Sequence, residues 1–543
     1  MANESQSQNS AAFNEGTRRD KGKDAQKINI LVAKAISNSI KSTLGPRGMD
    51  KMLVDEFGNV TISNDGATIL KEMAIEHPIG KMLVNLAKTQ DTEVGDGTTS
   101  AVVIAGELIS KAEFLLDENI HPSIIIKGYK MASERAVEIF DSISEPIVLE
   151  DKELLLNIAR TSMTGKAFEY SSLLSKIVID SILEVNTKEN LDFDRDSIII
   201  ETKLGSSLSE TQLIDGIVLD KEIVHPEMPK DVVNAKIAII SSALEIKEPE
   251  TDAKIQITSP DQLQSFIDQE EESLKNMVDT IKRSGANYVF CQKGIDDLAQ
   301  HYLAKEGIVA IRRVRQTDVE KIAKASGAKI VTRINDLSDK DLGTLEHIYE
   351  KKIAGDNMIF IEGLKLKKYI TILLRAGSEQ VLDETQRTLN DAICAVISAL
   401  KVGKYVAAGG SSEIEVALKL RDYAKTIGGR EQLAIEAYAD VLEVIPKVLS
   451  ESAGLDAIDT IVNLRSKHQD PNNKFVGIDV LGGRLYDMKE LNIIEPLNVK
   501  TQAVVSSYEV VEMILRIDDI IAAFAKNKGP MMPPGGMPQM PGI

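Results

Sequence analysis

The densest chemistry in the sequence is the pentapeptide Gly95-Asp96-Gly97-Thr98-Thr99, which lies between two segments of helical periodicity. Two glycines let a backbone approach a phosphate closely. A helix starting at Thr98 offers unpaired amides at the positive end of its dipole. Thr98, Thr99 and Ser100 add hydroxyl donors. Asp96 would repel a bare phosphate, but a hard cation such as Mg2+ turns its carboxylate into a ligand. The plain alternative is an Asp-Gly turn with a threonine capping the helix.

Other residues admit a similar pair of readings. Leu44-Gly45-Pro46-Arg47-Gly48 is a glycine-rich turn at a helix end. It gives phosphate or sugar access to backbone, or it is a helix stop followed by proline. Asp65 stands before Gly66 at the mouth of a helix, and Asp391 opens the apolar run 392–400. Each carboxylate either caps a helix or orients a water for attack on a γ-phosphate. Lys166, after Thr164-Gly165, is a solvated lysine or a γ-phosphate contact. Gly409-Gly410 is a loop or a close approach for a ring or sugar. Other chemistries lack their residues. There is no G-x-x-x-x-G-K-[ST], no H-E-x-x-H, no G-x-S-x-G elbow and no protein-kinase signature set.

The elements that must position these residues follow from periodicity. Apolar residues recur at helical spacing over 27–44, about 67–90, 98–117 and 122–143. The runs 51–55 and 60–64, joined through Gly58-Asn59, read as a hairpin. Beyond Pro146, one or two helices lead to a strand-like run at 197–201. Short β runs at 236–241, 288–291, 308–311 and 329–332 then alternate with helices. Helical patterns dominate from about 379 to 465, a second hairpin follows near 475–488, and a last helix spans about 498–525. Helix-rich ends thus bracket an α/β middle, as expected of a helical domain assembled from both termini with an α/β insertion.

Within the middle, Ser259-Pro260-Asp261-Gln262 is a capping box with proline at the first helical position. The helix it opens carries an apolar stripe of Leu263, Phe266, Ile267, Leu274, Met277, Val278 and Ile281. Such a stripe faces its own core or packs on neighbours. Residues 1 to about 20 and the Pro/Gly/Met tail 529–543 read as segments without a core.

The formal charge of -19 makes nucleic acid and anionic membranes poor partners. The two cysteines, Cys291 and Cys394, form no C-x-x-C pair. The first residues carry no apolar signal region, and no stretch approaches the ~18 apolar residues that span a bilayer. The expectation is a soluble cytoplasmic protein.

Together these residues resemble the group II chaperonins, the family of the archaeal thermosome and its eukaryotic cytosolic relatives. The resemblance runs from about Glu15 to the C-terminus. It rests on STLGPRGMDKM from Ser42, TISNDGATIL from Thr61, GDGTTSAVV from Gly95 and SMTGK from Ser162, in that order. It implies a multidomain α+β protein. A helical equatorial domain would comprise 1–151 and 407–543. A small α/β intermediate domain would comprise 152–220 and 375–406. An inserted α/β apical domain would comprise 221–374, with a helical lid protrusion at about 250–285. It also implies an ATPase using ATP and Mg2+, in a double ring of identical or paralogous subunits that encloses unfolded client proteins.

The resemblance further implies site roles. Asp96 would hold Mg2+, and Gly97, Thr98, Thr99 and Ser100 would cradle phosphates. Asp391 would activate water, with Asp65 as second carboxylate and Lys166 sensing the γ-phosphate. Thr43, Leu44, Gly45, Pro46, Gly409, Gly477 and Glu495 would border the nucleotide. Ala408, Ser411-Ser412 and Asn390 depart from the family's usual residues, which bears on nucleotide affinity and hydrolysis. Two competing readings are a ring- or filament-forming holding protein with little turnover and a metabolic ATP-dependent enzyme. The retention of Asp96 and Asp391 speaks against the first, and the lack of extra catalytic groups in the middle speaks against the second.

Overall fold

The computed structural model describes residues 17–148, 151–165, 170–186, 193–246 and 260–523. Lys166, residues 247–259 of the predicted lid, Ser259 of the capping box and the tail 529–543 lie outside the described residues.

Among the described residues, three large hydrophobic cores organise the chain, beside a small cluster of Val218, Met358, Phe360 and Leu373 on the sheet. The first draws on both ends, with Ile40, Leu83, Val102 and Tyr129 packing with Ile414, Tyr438 and Val511. Its central element is the helix Thr98–Asp117, apolar nearly all round and buried accordingly. The second core joins Leu155, Ile158 and Ile179 to Ile372, Leu389 and Val396. The third lies wholly within the middle of the chain and includes Ile239, Phe290, Ile311, Ile322 and Ile361. The fold is mixed α and β with a large helical content, as the periodicity predicts.

One nine-stranded sheet runs through the second and third cores. Ile198–Leu204 pairs in parallel with Ile370–Ala376, with Ile198 opposite Ile370. Gln212–Leu219 adds antiparallel to Ile370–Ala376 at one end and to Asp356–Glu362 at the other. Leu213 of that strand packs on the second core, whereas Ile217 and Leu219 belong to the third. Deeper in the insertion, Asp231–Ile240, Tyr288–Cys291, Val309–Ile311 and Ile330–Val331 pair in parallel and are linked by helices. Tyr288–Cys291 and Val309–Ile311 are buried at every position, as strands covered on both faces must be.

Several expectations need correction. The region 1–20 is not all an irregular arm, because Thr17–Lys21 pairs antiparallel with Asp519–Ala523. For the same reason the last helix stops at Leu515 and gives way to a strand. The predicted helix 67–90 is two helices, Gly66–Glu72 and Pro78–Val94. Pro78 has no amide to continue a helix and takes its first turn instead. The stripe of Pro260–Ser284 divides: Leu274, Val278 and Ile281 are buried in the third core, while Phe266 and Ile267 are exposed. Among the described residues, no helix is long and apolar enough to cross a membrane.

Candidate functional site

The glycine pair forms a rigid loop between two helices. Pro78–Val94 ends at Gly95 with φ 79°, and its amide returns to Gln90 O at 3.2 Å. Gly97, with φ 78°, immediately precedes Thr98–Asp117. Side chains are excluded at both positions. A Cβ on Gly95 would lie 2.1 Å from Cys394 Cβ, and one on Gly97 would lie 2.8 Å from Val499 Cγ1. Left-handed φ and lack of space therefore both demand glycine. Between them, Asp96 accepts from the Gly97 amide at 2.6 Å. The buried Gln90 Nε2 donates to Asp96 O at 2.9 Å and to Val499 O at 3.2 Å, clamping the loop to the helix Leu497–Leu515. Thr98 and Thr99 are buried in the first turn of their helix, where amides have no intrahelical acceptor.

Asp65 is a helix cap that also reaches the glycine loop. It caps Gly66–Glu72 by accepting from Thr68 N at 2.8 Å, a bond worth ~1 kcal/mol. Its other oxygen accepts from Thr98 Oγ1 at 3.1 Å, which ties the cap to the mouth of the glycine loop. Gly66 is packed against Thr99, whose Oγ1 would lie 2.6 Å from a Cβ there. Asn64 Nδ2 reaches Gly165 O at 3.4 Å. A Cβ on Gly165 would be 3.3 Å from Gly45 O and from Pro46 Cα. The turn at 44–48, the Asn64-Asp65 turn, the glycine loop and the chain leading to residue 166 thus meet in one place. Thr43 Oγ1 donates to Ile40 O at 2.8 Å and finishes its helix, so its hydroxyl faces its own backbone. Leu44 packs on the first core. Gly45 has φ 84° and abuts Leu449, whose Cδ2 is 2.4 Å from the position of a Cβ.

Asp391 does not start a helix. It lies inside Glu379–Val402, whose N-cap is Ser378, because Leu382, Thr385 and Leu389 already bury a helical face before it. One turn later Cys394 sits on Gly95. The same helix touches Val60–Ser63, Pro78–Val94 and Leu497–Leu515. Burial pushes the Cys394 thiol up; Arg195 pulls it back, and the neighbouring Asp391 and Asp91 carboxylates push it up again. Asn390 accepts a hydrogen bond from Arg195, which also donates to Ile198 O at 2.9 Å.

Gly409 and Gly477 meet each other. Ile478 N donates to Gly409 O at 2.9 Å, and a Cβ on Gly477 would lie 2.9 Å from the same oxygen. Ala408 donates its amide to Ile493 O at 3.0 Å, and Ser411 Oγ donates to Lys474 O at 2.9 Å. Glu495 lies opposite Val406 on adjoining strands. Its Oε2 pairs with Lys500 at 2.8 Å, and Lys500 pairs equally with Glu413. Burial pushes the Glu495 carboxyl up, against Lys500, with Glu413 and Asp96 adding to the rise. Lys500 is held well above its ordinary value, since its two carboxylates outweigh the cost of burial.

The donor set fits a nucleotide with a hard cation. Two carboxylates and three hydroxyl residues surround a helix start, and glycines leave no side chain in the approach. Asn64 Oδ1, Gln90 Oε1 and Ser162 Oγ are buried without a hydrogen-bond partner among the described residues. Ordered water or a ligand would satisfy such groups, which also occur away from the loop, as at Tyr288 Oη in the third core. Gln90, Asp91, Arg195, Glu413 and Lys500 escaped the sequence reading. Each lies in a regular helix or turn pattern, and only tertiary packing distinguishes it from a surface polar residue.

The TCP-1/cpn60 chaperonin family model matches residues 36–525. The chain therefore belongs to the TCP-1/cpn60 chaperonin family, in its thermosome-like, group II branch. A thermosome subunit alpha of Archaeoglobus fulgidus is 56% identical over 527 residues, covering 96% of each chain. A thermosome subunit of Pyrococcus horikoshii is 57% identical over 517 residues, or 95% of this chain and 94% of the relative. One from Methanopyrus kandleri is 55% identical over 517 residues, 95% of each.

Proposed function

We propose that the chain is a subunit of an ATP-driven protein-folding chaperonin. In this reading it assembles with identical or paralogous subunits into a cytoplasmic double ring. The ring encloses unfolded proteins under a built-in lid at about 250–285. The observation that carries it is the seating of Cys394 on Gly95. That contact sets a helix of the second core, bearing Asp391, against a phosphate-type loop of the first core.

The three cores support the division into an equatorial domain (1–151 and 407–543), an intermediate domain (152–220 and 375–406) and an apical domain (221–374). Asp96 would hold Mg2+, which supplies positive charge beside the phosphates when bound. The first-turn amides and the hydroxyls of Thr98, Thr99 and Ser100 bind phosphate oxygens, with Gly97 leaving room. Asp391 takes the proton of the attacking water, and Asp65, fixed by Thr68 and Thr98, orients it. Lys166 meets the γ-phosphate. Leu44, Gly45 and Pro46, with Thr43 shaping their turn, flank the nucleotide. Gly409 and Gly477 admit the nucleoside, and Glu495 offers its second oxygen to the ribose. Because water activation and phosphate binding belong to different cores, nucleotide occupancy is coupled to the angle between them, and through the shared sheet to the insertion.

The test is Mg2+-dependent ATP hydrolysis by the assembled protein, wild type beside Asp391→Ala, with nucleotide binding measured separately. Loss of a positioned general base should lower turnover by roughly 10²–10⁴-fold while binding persists. Equal turnover in the two proteins overturns the role of Asp391. Absence of turnover in both favours a holding protein.

A further inference from the structure

Far from the glycine loop, the insertion brings two histidines and a carboxylate together. His225 and Glu227 stand on the turn that follows Gln212–Leu219, and His301 stands on the helix Asp297–Lys305. One donor atom of each lies within 4.8 Å of the other two, and this is the only such group among the described residues. The imidazole rings of His225 and His301 are 5.9 Å apart between centroids and tilted by 59°.

The supports of these side chains are stiff. Val224 N donates to Ala310 O at 3.2 Å at one end of the turn, and Met228 N donates to His225 O at 3.1 Å at the other. Met228 is buried in the third core, and Pro226 restricts the backbone between the two donors. On the other side Ala299 and Leu303 fix the helix into the same core while His301 faces outward. The observed spacing is wider than a metal-bound one and must close on coordination. Tetrahedral zinc with ligands at ~2.0–2.1 Å needs donors about 3.3 Å apart. The Glu227 amide donates to His225 Nδ1 at 3.3 Å, a long bond that is cheap to give up on coordination.

The donor types select the ion. Calcium and magnesium favour all-oxygen shells, whereas two imidazoles and a carboxylate suit zinc and its first-row neighbours. We infer that His225, Glu227 and His301 form a binding site for a divalent transition metal ion of the zinc class. Three protein ligands leave one coordination position for water or for a donor from another molecule. The inference is independent of the nucleotide reading, since none of these residues approaches the glycine loop.

The experiment is titration of the assembled, tag-free full chain with Zn2+ alone, without nucleotide. Co2+ substitution reports ligand geometry through its visible absorption. Wild type should bind one ion per chain at this site. Loss of an outer-shell partner costs roughly 10–100-fold in affinity, so loss of a direct ligand in His301→Ala should cost at least about tenfold. Glu227→Gln should weaken binding and alter the Co2+ spectrum, and His347→Ala, outside the cluster, should match wild type. Unchanged folding of each variant is checked by thermal unfolding, with His225→Gln as the second ligand variant. No stoichiometric binding by wild type, or equal affinity in wild type, His301→Ala and His225→Gln, overturns the site.

Discussion

Gly95 and Cys394 are in such close register that a Cβ added to the glycine would lie 2.1 Å from the cysteine Cβ and 3.3 Å from its Cα. The close neighbour is the first carbon of a side chain on a long helix, so no rotamer change relieves the overlap. Gly95→Ala must push the Asp391 helix away from the loop. The expected result is a loss of about 1–3 kcal/mol in stability, as for other overpacked contacts, with a larger proportional loss of ATP turnover. Adding Cys394→Gly should recover part of the turnover, and a double-mutant cycle in kcat measures that coupling.

Gln90 acts on Asp96 without touching it through its carboxylate. Its amide group bridges Asp96 O and Val499 O. Gln90→Leu keeps the volume and removes both bonds. KM for MgATP should rise by about tenfold, in the range seen when supporting residues of metal ligands are removed. A kcat that falls with unchanged KM would assign Gln90 to the chemical step instead.

Lys500 is shared by two carboxylates, Glu413 and Glu495, both at 2.8 Å. Lys500→Met leaves two acids buried together. Removing one partner of a buried ion pair costs about 3–5 kcal/mol, to be read from thermal unfolding at neutral pH. The defect should shrink on acidification, because burial already favours the protonated Glu495.

Glu443 also predicts a defect that fades in acid, for a different reason. Burial would raise its carboxyl, but hydrogen bonds from Arg465 and Arg421, the latter at 2.7 Å, outweigh burial and hold it below the ordinary value. A folded-state pKa below the unfolded one contributes stability above the unfolded value of ~4.3. That contribution disappears as pH falls through the folded value. Glu443→Gln should cost about 2 kcal/mol at neutral pH, as expected for charge-assisted hydrogen bonds. Wild type and variant should converge in acid, as followed by denaturant unfolding from pH 7 downward.

Much of the site was readable from local sequence because glycine and aspartate act there through backbone geometry. Gly95, Gly97 and Asp65 sit where their conformational preferences put them, and the helices 98–117 and 122–143 begin and end at their predicted residues. Asp391 misled at the local level. It stands before an apolar run as a helix start would, but the helical pattern already begins near 379, with Leu382, Thr385 and Leu389 on its buried face. The long strands Gly343–Ile353 and Asp356–Glu362 were also missed. Their exposed charged residues, such as Lys351 and Lys352, belong to a hairpin whose buried positions, such as Ile348 and Phe360, are covered through partner strands more than a hundred residues away. Pairing over such distances leaves no periodic trace in a short window.

The pairing of Thr17–Lys21 with Asp519–Ala523 sets an order of events during synthesis. The first described strand leaves the ribosome some five hundred residues before its partner, and its helix-rich surroundings likewise wait for Leu497–Leu515. The insertion has no such delay, since the strands from Gln212–Leu219 to Asp356–Glu362 find partners among themselves. Domains fold as units while translation proceeds. The middle of this chain is therefore built first, and the unit that carries the glycine loop is sealed only once Asp519–Ala523 has been made.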